Sequence, residues 1–131
     1  MTGTKIDATD ADFATAVLEA SKERPVVVDF WATWCAPCRA LGPILEKVAQ
    51  ERGGAFLLAK VDTDANPMVA GQLGVQSIPT VVAFRDGRPV DGFVGALPEA
   101  QVNAFIDRLL PTAGDVAASD AAAEDRKSTR L

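Results

Sequence analysis

The run Val26-Val27-Val28-Asp29-Phe30-Trp31 is apolar on both of its faces except at Asp29. A strand with one wet face alternates polar and apolar residues, whereas a strand apolar on both faces belongs inside a parallel sheet covered by helices on either side. This one stretch therefore selects an α/β architecture. A short aromatic turn, Ala32-Thr33-Trp34, leads directly into Cys35-Ala36-Pro37-Cys38-Arg39, where a helix is expected to begin. The chain has 2 cysteines, and both stand at this junction.

Residues at i and i+3 share a face in the first turn of a helix, so the sulfurs of Cys35 and Cys38 can meet and a disulfide between them can close and reopen. The unsatisfied N–H groups and partial positive charge of a helix N-terminus favour thiolate over thiol at Cys35. Thiolate is the form that attacks a disulfide. Pro37 suits the first turn, because it gives up an N–H that has no partner there and its fixed φ presets the helix. Two other readings of the pair stay open on the residues alone. One is a structural staple, although so short a loop contributes only about 2 kcal/mol in the chain-entropy estimate. The other is half of a zinc site, for which a chain with 0 histidines and no third cysteine lacks the remaining soft ligands.

A length of 131 residues fits a single domain, and 48% hydrophobic residues suffice for a core. The net charge of −5, with no basic stripe, argues against nucleic acid or an anionic membrane as partner. Without histidine, Cys-His and Ser-His-Asp catalysis are excluded too. The N-terminus Met1-Thr2-Gly3-Thr4-Lys5-Ile6-Asp7 is too polar for a signal peptide, and no apolar run reaches the length of a membrane span. The expectation is a cytoplasmic monomer in a reducing compartment, where a cysteine pair is more often catalytic than structural.

Read in order, Lys5 to Asp7 forms a short edge strand, followed by a helix capped by Thr9 or Asp10 and packed through Phe13, Val17, Leu18 and Ala20. The helix begun at the cysteines presents Leu41, Ile44, Leu45, Val48 and Ala49. Pro43 within it is expected to remove one ladder bond and kink the axis, and Gly53-Gly54 ends it. A second buried strand spans Ala55 to Val61, with Lys60 as its odd residue. Asn66-Pro67 then opens a short helix closed by Gly74. Thr80 to Phe84 and Val90 to Val94 flank Asp86-Gly87, a hairpin signal that makes the pair antiparallel. Pro98 and Glu99 open a last helix presenting Val102, Phe105, Ile106, Leu109 and Leu110. This order of elements gives a mixed sheet with helices on both faces.

The motifs Val28-Asp29-Phe30-Trp31-Ala32, Trp34-Cys35-x-Pro37-Cys38, Pro43, Lys60-Val61-Asp62, Asn66-Pro67, Ile78-Pro79-Thr80, Asp86-Gly87 and Gly95-Ala96-Leu97 make the chain resemble the thioredoxin family from about Lys5 to Leu110. The general rule relating a C-x-x-C beside a β-α-β pattern to redox chemistry itself takes thioredoxin as its example. The resemblance implies a thioredoxin fold, with a central mixed five-stranded sheet flanked by four helices. It also implies an oxidoreductase that reduces protein disulfides, with a role in electron transport and cell redox homeostasis. Its redox group is the Cys35–Cys38 disulfide and it uses no cofactor or metal. The implied partners are disulfide-bearing client proteins and a thioredoxin reductase.

On the same resemblance, Cys35 is the attacking thiol and Cys38 the resolving one. Asp29 is the proton acceptor for Cys38, its pKa raised by burial, and Lys60 modulates that charge from the neighbouring strand. The alternative for Asp29 and Lys60 is a buried ion pair without a kinetic role. The family's proline at the Ile78-Pro79 motif is cis and lies beside the disulfide, so Ile78-Pro79 is expected to be cis here. Backbone groups around Ile78 and Thr80 are then free for an extended substrate. Trp31, Trp34, Ala36, Pro37, Ile78, Pro79, Gly95 and Ala96 are the expected substrate-binding residues. The chain departs from the commonest family pattern at Ala36, where glycine is usual, and at Ser77, where glycine is frequent.

A second resemblance runs through Ala70 to Pro79 and Gly87 to Glu99, to the thioredoxin domain that heads bacterial co-chaperones bearing tetratricopeptide repeats. It implies, as an alternative function, a client-binding chaperone domain in which redox exchange is secondary. The expected thioredoxin domain covers residues 1–111. Residues 112–131, alanine-rich and then charged, read as a low-complexity tail, a linker or a foreign end too short for one such repeat of about 34 residues.

Overall fold

The computed structural model describes residues 3–110. The expected tail at 112–131 lies outside the described residues. Five strands form one mixed sheet: β1 (Lys5–Asp7), β2 (Val26–Trp31), β3 (Leu57–Asp62), β4 (Thr80–Arg85) and β5 (Arg88–Val94), in the spatial order β1-β3-β2-β4-β5. β1, β3 and β2 run parallel, while β4 is antiparallel to both β2 and β5. Four helical segments are seen among the described residues: Ala14–Lys22, α1 (Ala36–Glu51), α2 (Pro67–Gln72) and α3 (Glu99–Leu109). The thioredoxin-type architecture expected from the sequence is thus observed.

The apolar strand β2 has neighbours on both edges and is covered on both faces, and Val26, Val27, Val28 and Phe30 are fully buried. On one face Val27, Leu58, Val81 and Ala83 pack against Leu41, Leu45 and Val48 of α1 and Phe105, Ile106 and Leu109 of α3. On the other, Val26, Val28, Phe30 and Phe84 pack against Phe13, which precedes the first helical segment, Val17 within it, and Val69 and Ala70 of α2. Strand periodicity fixes the assignment of faces: Val27, Asp29 and Trp31 share the α1 face, and Val28 and Phe30 take the opposite one. At the β4–β5 turn both Asp86 (φ 54°) and Gly87 (φ 83°) are left-handed, which is what a two-residue turn matched to strand twist requires.

Three local details differ from expectation. The first helical segment is a π-helix over Ala14–Glu19 followed by a 3₁₀ turn over Ala20–Lys22, and no side chain caps its start. Thr9 and Asp12 instead close a turn of their own, each accepting the other's backbone N–H. Asp10 serves a different helix: its two carboxylate oxygens accept the N–H groups of Met68 (3.2 Å) and Val69 (2.8 Å) at the start of α2. Asn66 occupies the N-cap position of α2 without capping it, because its amide is already engaged with the Asp10 N–H and the Asp62 carbonyl. α1 runs unbroken through Pro43, whose exposed position places the missing ladder bond on the solvent side.

Asp10 therefore holds α2 against the β1 side of the sheet by a contact spanning 58 residues of sequence. Asp10→Ala is expected to lower stability by about 1 kcal/mol, the usual value for a lost helix cap. Thr9→Ala, which removes one exposed turn bond, is expected to cost less. Denaturant unfolding of the two variants checks the order.

Candidate active site

The end of β2 delivers the chain to the site. Ala32 is buried, and its carbonyl accepts the Cys35 N–H at 3.2 Å, which turns the backbone toward α1. Cys35 is the N-cap of α1 in an extended conformation (φ −94°, ψ 108°), and Ala36 and Pro37 occupy the first two helical positions. Its Sγ accepts the backbone N–H of Cys38 at 3.2 Å. Sulfur thus takes the place that an N-cap oxygen fills elsewhere, facing an N–H donor and the positive end of the helix. Cys35 and Cys38 are joined as a disulfide with their Cα atoms 5.3 Å apart. The pair is therefore bonded to itself, and among the described residues no cluster of acidic, cysteine or histidine side chains gathers as a metal site.

Each cysteine is 4% exposed, so an incoming group reaches the sulfurs only along a narrow strip. Three separate chain segments frame it. The Ile78–Pro79 bond is cis, as expected, and the Ile78 carbonyl oxygen lies 3.8 Å from Cys35 Sγ. Pro79 is buried, and its carbonyl accepts the N–H of Gly95 at 2.8 Å, which brings the Gly95-Ala96 turn to the same end of the sheet. Gly95 has φ 90°, a conformation that disfavours any other residue there. Ala36, Pro37 and Ala96 are exposed, and Trp34 is 66% exposed.

The two tryptophans occupy different places. Trp34 stands on the surface with its indole N–H donating to Asp64 Oδ2 at 2.8 Å, a partner not identified from sequence. Trp31, expected on the rim, is half-buried and packs with Ile78 against Ala32, Cys35 and Cys38. Its ring reaches the dithiol from the α1 face of β2 and remains partly exposed.

The face of β2 that packs on α1 also carries the buried acid. Asp29 is 1% exposed, and neither carboxylate oxygen has a hydrogen-bond partner. Desolvation raises its pKa from 3.8 to about 6, against an opposing pull from Lys60 and with a further upward push from Glu46. Lys60 is paired with Asp29 in the β2–β3 register, as the alternation of strands predicts. The two do not form the ion pair considered above: the Lys60 ammonium bonds Glu46 Oε2 at 2.9 Å and lies 5.2 Å from the Trp31 ring centre. Glu46 was not singled out from the sequence. It sits at the edge of the buried stripe of α1, where an exposed-looking carboxylate carries no local signal.

A dithiol at the junction of a central strand and a helix, with a buried carboxyl on that same strand, defines a thiol–disulfide oxidoreductase of the α/β class. A family model described as Thioredoxin matches residues 4–108. A thioredoxin of Chlorobaculum thiosulfatiphilum is 45% identical over 105 residues, covering 80% of this chain and 95% of the relative. A thioredoxin of Mycobacterium tuberculosis is 47% identical over 106 residues, 81% of this chain and 90% of the relative. A bifunctional thioredoxin reductase/thioredoxin of Mycobacterium leprae is 43% identical over 109 residues, 83% of this chain but 23% of that longer protein. The chain belongs to the thioredoxin family, whose redox group is a disulfide within the chain and whose members need no separate cofactor.

Because folded Asp29 binds its proton more tightly than the unfolded chain does, its contribution to stability is present below pH 3.8 and is lost as pH rises through about 6. A shift of this size amounts to about 3 kcal/mol. The oxidised Asp29→Asn variant is therefore expected to be more stable than the parent at pH 7, and to lose that advantage progressively between about pH 6 and pH 4. Denaturant unfolding across that range measures it.

Proposed function

We propose that the chain acts as a cytoplasmic reductant of protein disulfides, with the domain at residues 1–111 carrying the chemistry. The observation that carries this reading is the placement of Cys35 Sγ at the cap of α1, in receipt of the Cys38 N–H at 3.2 Å. The same donor and helix charge are available to a Cys35 thiolate in the reduced protein. That thiolate attacks one sulfur of a client disulfide, forming a mixed disulfide and expelling the other client sulfur as a thiolate, which takes up a proton. Cys38 gives its proton to the Asp29 carboxylate and attacks Cys35 Sγ, and the second client thiolate leaves and is protonated as Asp29 gives that proton up through solvent. The client gains two electrons and two protons in all, and the protein ends as the Cys35–Cys38 disulfide.

Asp29 is suited to this because a carboxyl with a pKa of about 6 exchanges protons near neutral pH. Lys60 tempers its charge from the adjacent strand. Trp31 supports the dithiol from the α1 face of β2. Trp34, Ala36, Pro37, Ile78, Pro79, Gly95 and Ala96 make the surface on which an extended client segment lies, with backbone groups near Ile78 available to it. The oxidised protein then needs a dithiol donor. A thioredoxin reductase fits that role, and in the Mycobacterium leprae relative the printed name joins reductase and thioredoxin in one protein. No observation favours the client-binding co-chaperone alternative, which serves below as an outcome of the test.

In an insulin-disulfide reduction assay, Cys35→Ser is expected to fall to background. Cys38→Ser is expected to accumulate the mixed disulfide, visible as a covalent adduct on a non-reducing gel. Suppression of aggregation that survives Cys35→Ser, alongside wild-type-like insulin reduction by that variant, would overturn the reading in favour of client binding. In Asp29→Asn the resolving step is expected to slow at neutral pH and to lose its inflection near pH 6. An unchanged profile removes Asp29 from the proton path.

A further inference from the structure

Lys60 and Asp29 are opposite charges on neighbouring residues of paired strands, and in an apolar interior such a pair is expected to close. It is held apart. The Lys60 ammonium turns instead to Glu46 on α1 at 2.9 Å, and the other oxygen of Glu46 receives Lys5 of β1 at 3.5 Å. Space for this arrangement is made by Gly42, one turn earlier on α1: a Cβ there would stand 3.3 Å from Lys60 Nζ. The Trp31 ring, 5.2 Å from the same ammonium, walls its other side. Glu46 is one-third exposed, so it keeps its own charge, and Lys60 holds its carboxyl below the usual range by hydrogen bonding.

We propose that Glu46 is a positioning residue for disulfide exchange: by anchoring the Lys60 ammonium on α1, it keeps the buried Asp29 carboxyl without an ionic partner and therefore able to take and return a proton. The inference rests on the proton-acceptor role given to Asp29 above. The charged groups that act on Asp29 are Lys60 on β3 and Glu46 on α1. On β1, Lys5 reaches the same cluster through Glu46 and Asp7 is in register with Lys60, while on β4 the register partner of Asp29 is the apolar Val81. Two of these effects reinforce one another. Glu46 repels a negative Asp29 directly, and it also withdraws the cation that would otherwise neutralise it.

Glu46→Gln keeps the shape of the side chain and removes its charge, releasing Lys60 toward Asp29. The carboxyl of Asp29, followed by isotope-edited infrared or carbon NMR in the reduced protein, is expected to titrate about one unit lower than in the parent. The pH inflection of the resolving step is expected to move by the same amount. Lys60→Gln should move both the opposite way, and Glu46→Asp should recover part of the parental value. A carbon titration in Glu46→Gln that coincides with the parent overturns the proposal, even if insulin reduction slows, since that slowing would then be structural. A carboxyl that shifts while the kinetic inflection stays fixed supports the positioning of Lys60 by Glu46 and instead refutes the role of Asp29 in the reaction. All three variants change side chains that are partly exposed, and thermal unfolding of each confirms that the fold is kept.

Discussion

The complete enclosure of β2 is the constraint on which the rest of the molecule depends. Its ladder is paired on both sides, parallel with β3 and antiparallel with β4, and helices cover both faces. A strand in that position cannot slip by one residue without turning Asp29 into one apolar layer and a valine out of the other. Register fixes the strand, and the strand fixes where the chain leaves the sheet. The cysteines therefore emerge at a defined point, with Cys35 at the cap of α1 and Cys38 one turn in. The same enclosure that fixes the strand also strips water from Asp29, so the scaffold and the raised proton affinity of that carboxyl have a single physical cause.

That cause has an energetic cost, and its location is informative. A carboxyl with neither oxygen satisfied is unfavourable in a core, and a nearby lysine offers an obvious remedy. The lysine is committed elsewhere, to Glu46 and to the face of Trp31. Among the described residues the buried polar side-chain atoms without a partner are the two oxygens of Asp29 and the indole nitrogen of Trp31, and both residues lie on the sheet face that carries the dithiol helix. Buried groups with perturbed proton affinity that sit beside reactive side chains are where functional demands most often override packing.

Much of this could be read from the chain before its coordinates. The apolar run Val26 to Trp31, the Asp86-Gly87 turn and the Pro37 start of α1 are local signals, and each states its own geometry. Asp29 and Lys60 stood out because each is the polar exception in an apolar strand, and the β2–β3 register sets them opposite each other. What could not be read were contacts whose partners are distant and whose local pattern is ordinary. Asp10 looks like a cap for the helix that follows it, yet it caps α2, because the crossover brings that N-terminus beside it in space. The π-helical winding of Ala14–Glu19 also leaves no mark in an alternation that fits an α-helix nearly as well. The packing of Trp31 against Ala32, Cys35 and Cys38 likewise joins residues whose contact follows from the turn between β2 and α1 and not from any local pattern.

Burial explains why the dithiol needs a rim assembled from separate segments. With each cysteine residue only 4% exposed, the dithiol is reached only across the surface of the segments around it. α1 supplies one wall through Ala36 and Pro37. The opposite wall requires backbone with free polar groups close to Cys35, and a regular strand has none to spare because its ladder uses them. The Ile78–Pro79 segment lies just before β4 enters the ladder at Thr80, so its backbone passes the sulfur before pairing begins. Gly95, leaving the ladder just after β5 ends, is tied to Pro79 by one hydrogen bond and completes the edge. Strand ends are thus the only places in this sheet where buried sulfur and unpaired backbone can meet, which is why the reactive pair sits at the terminus of the central strand and nowhere along its length.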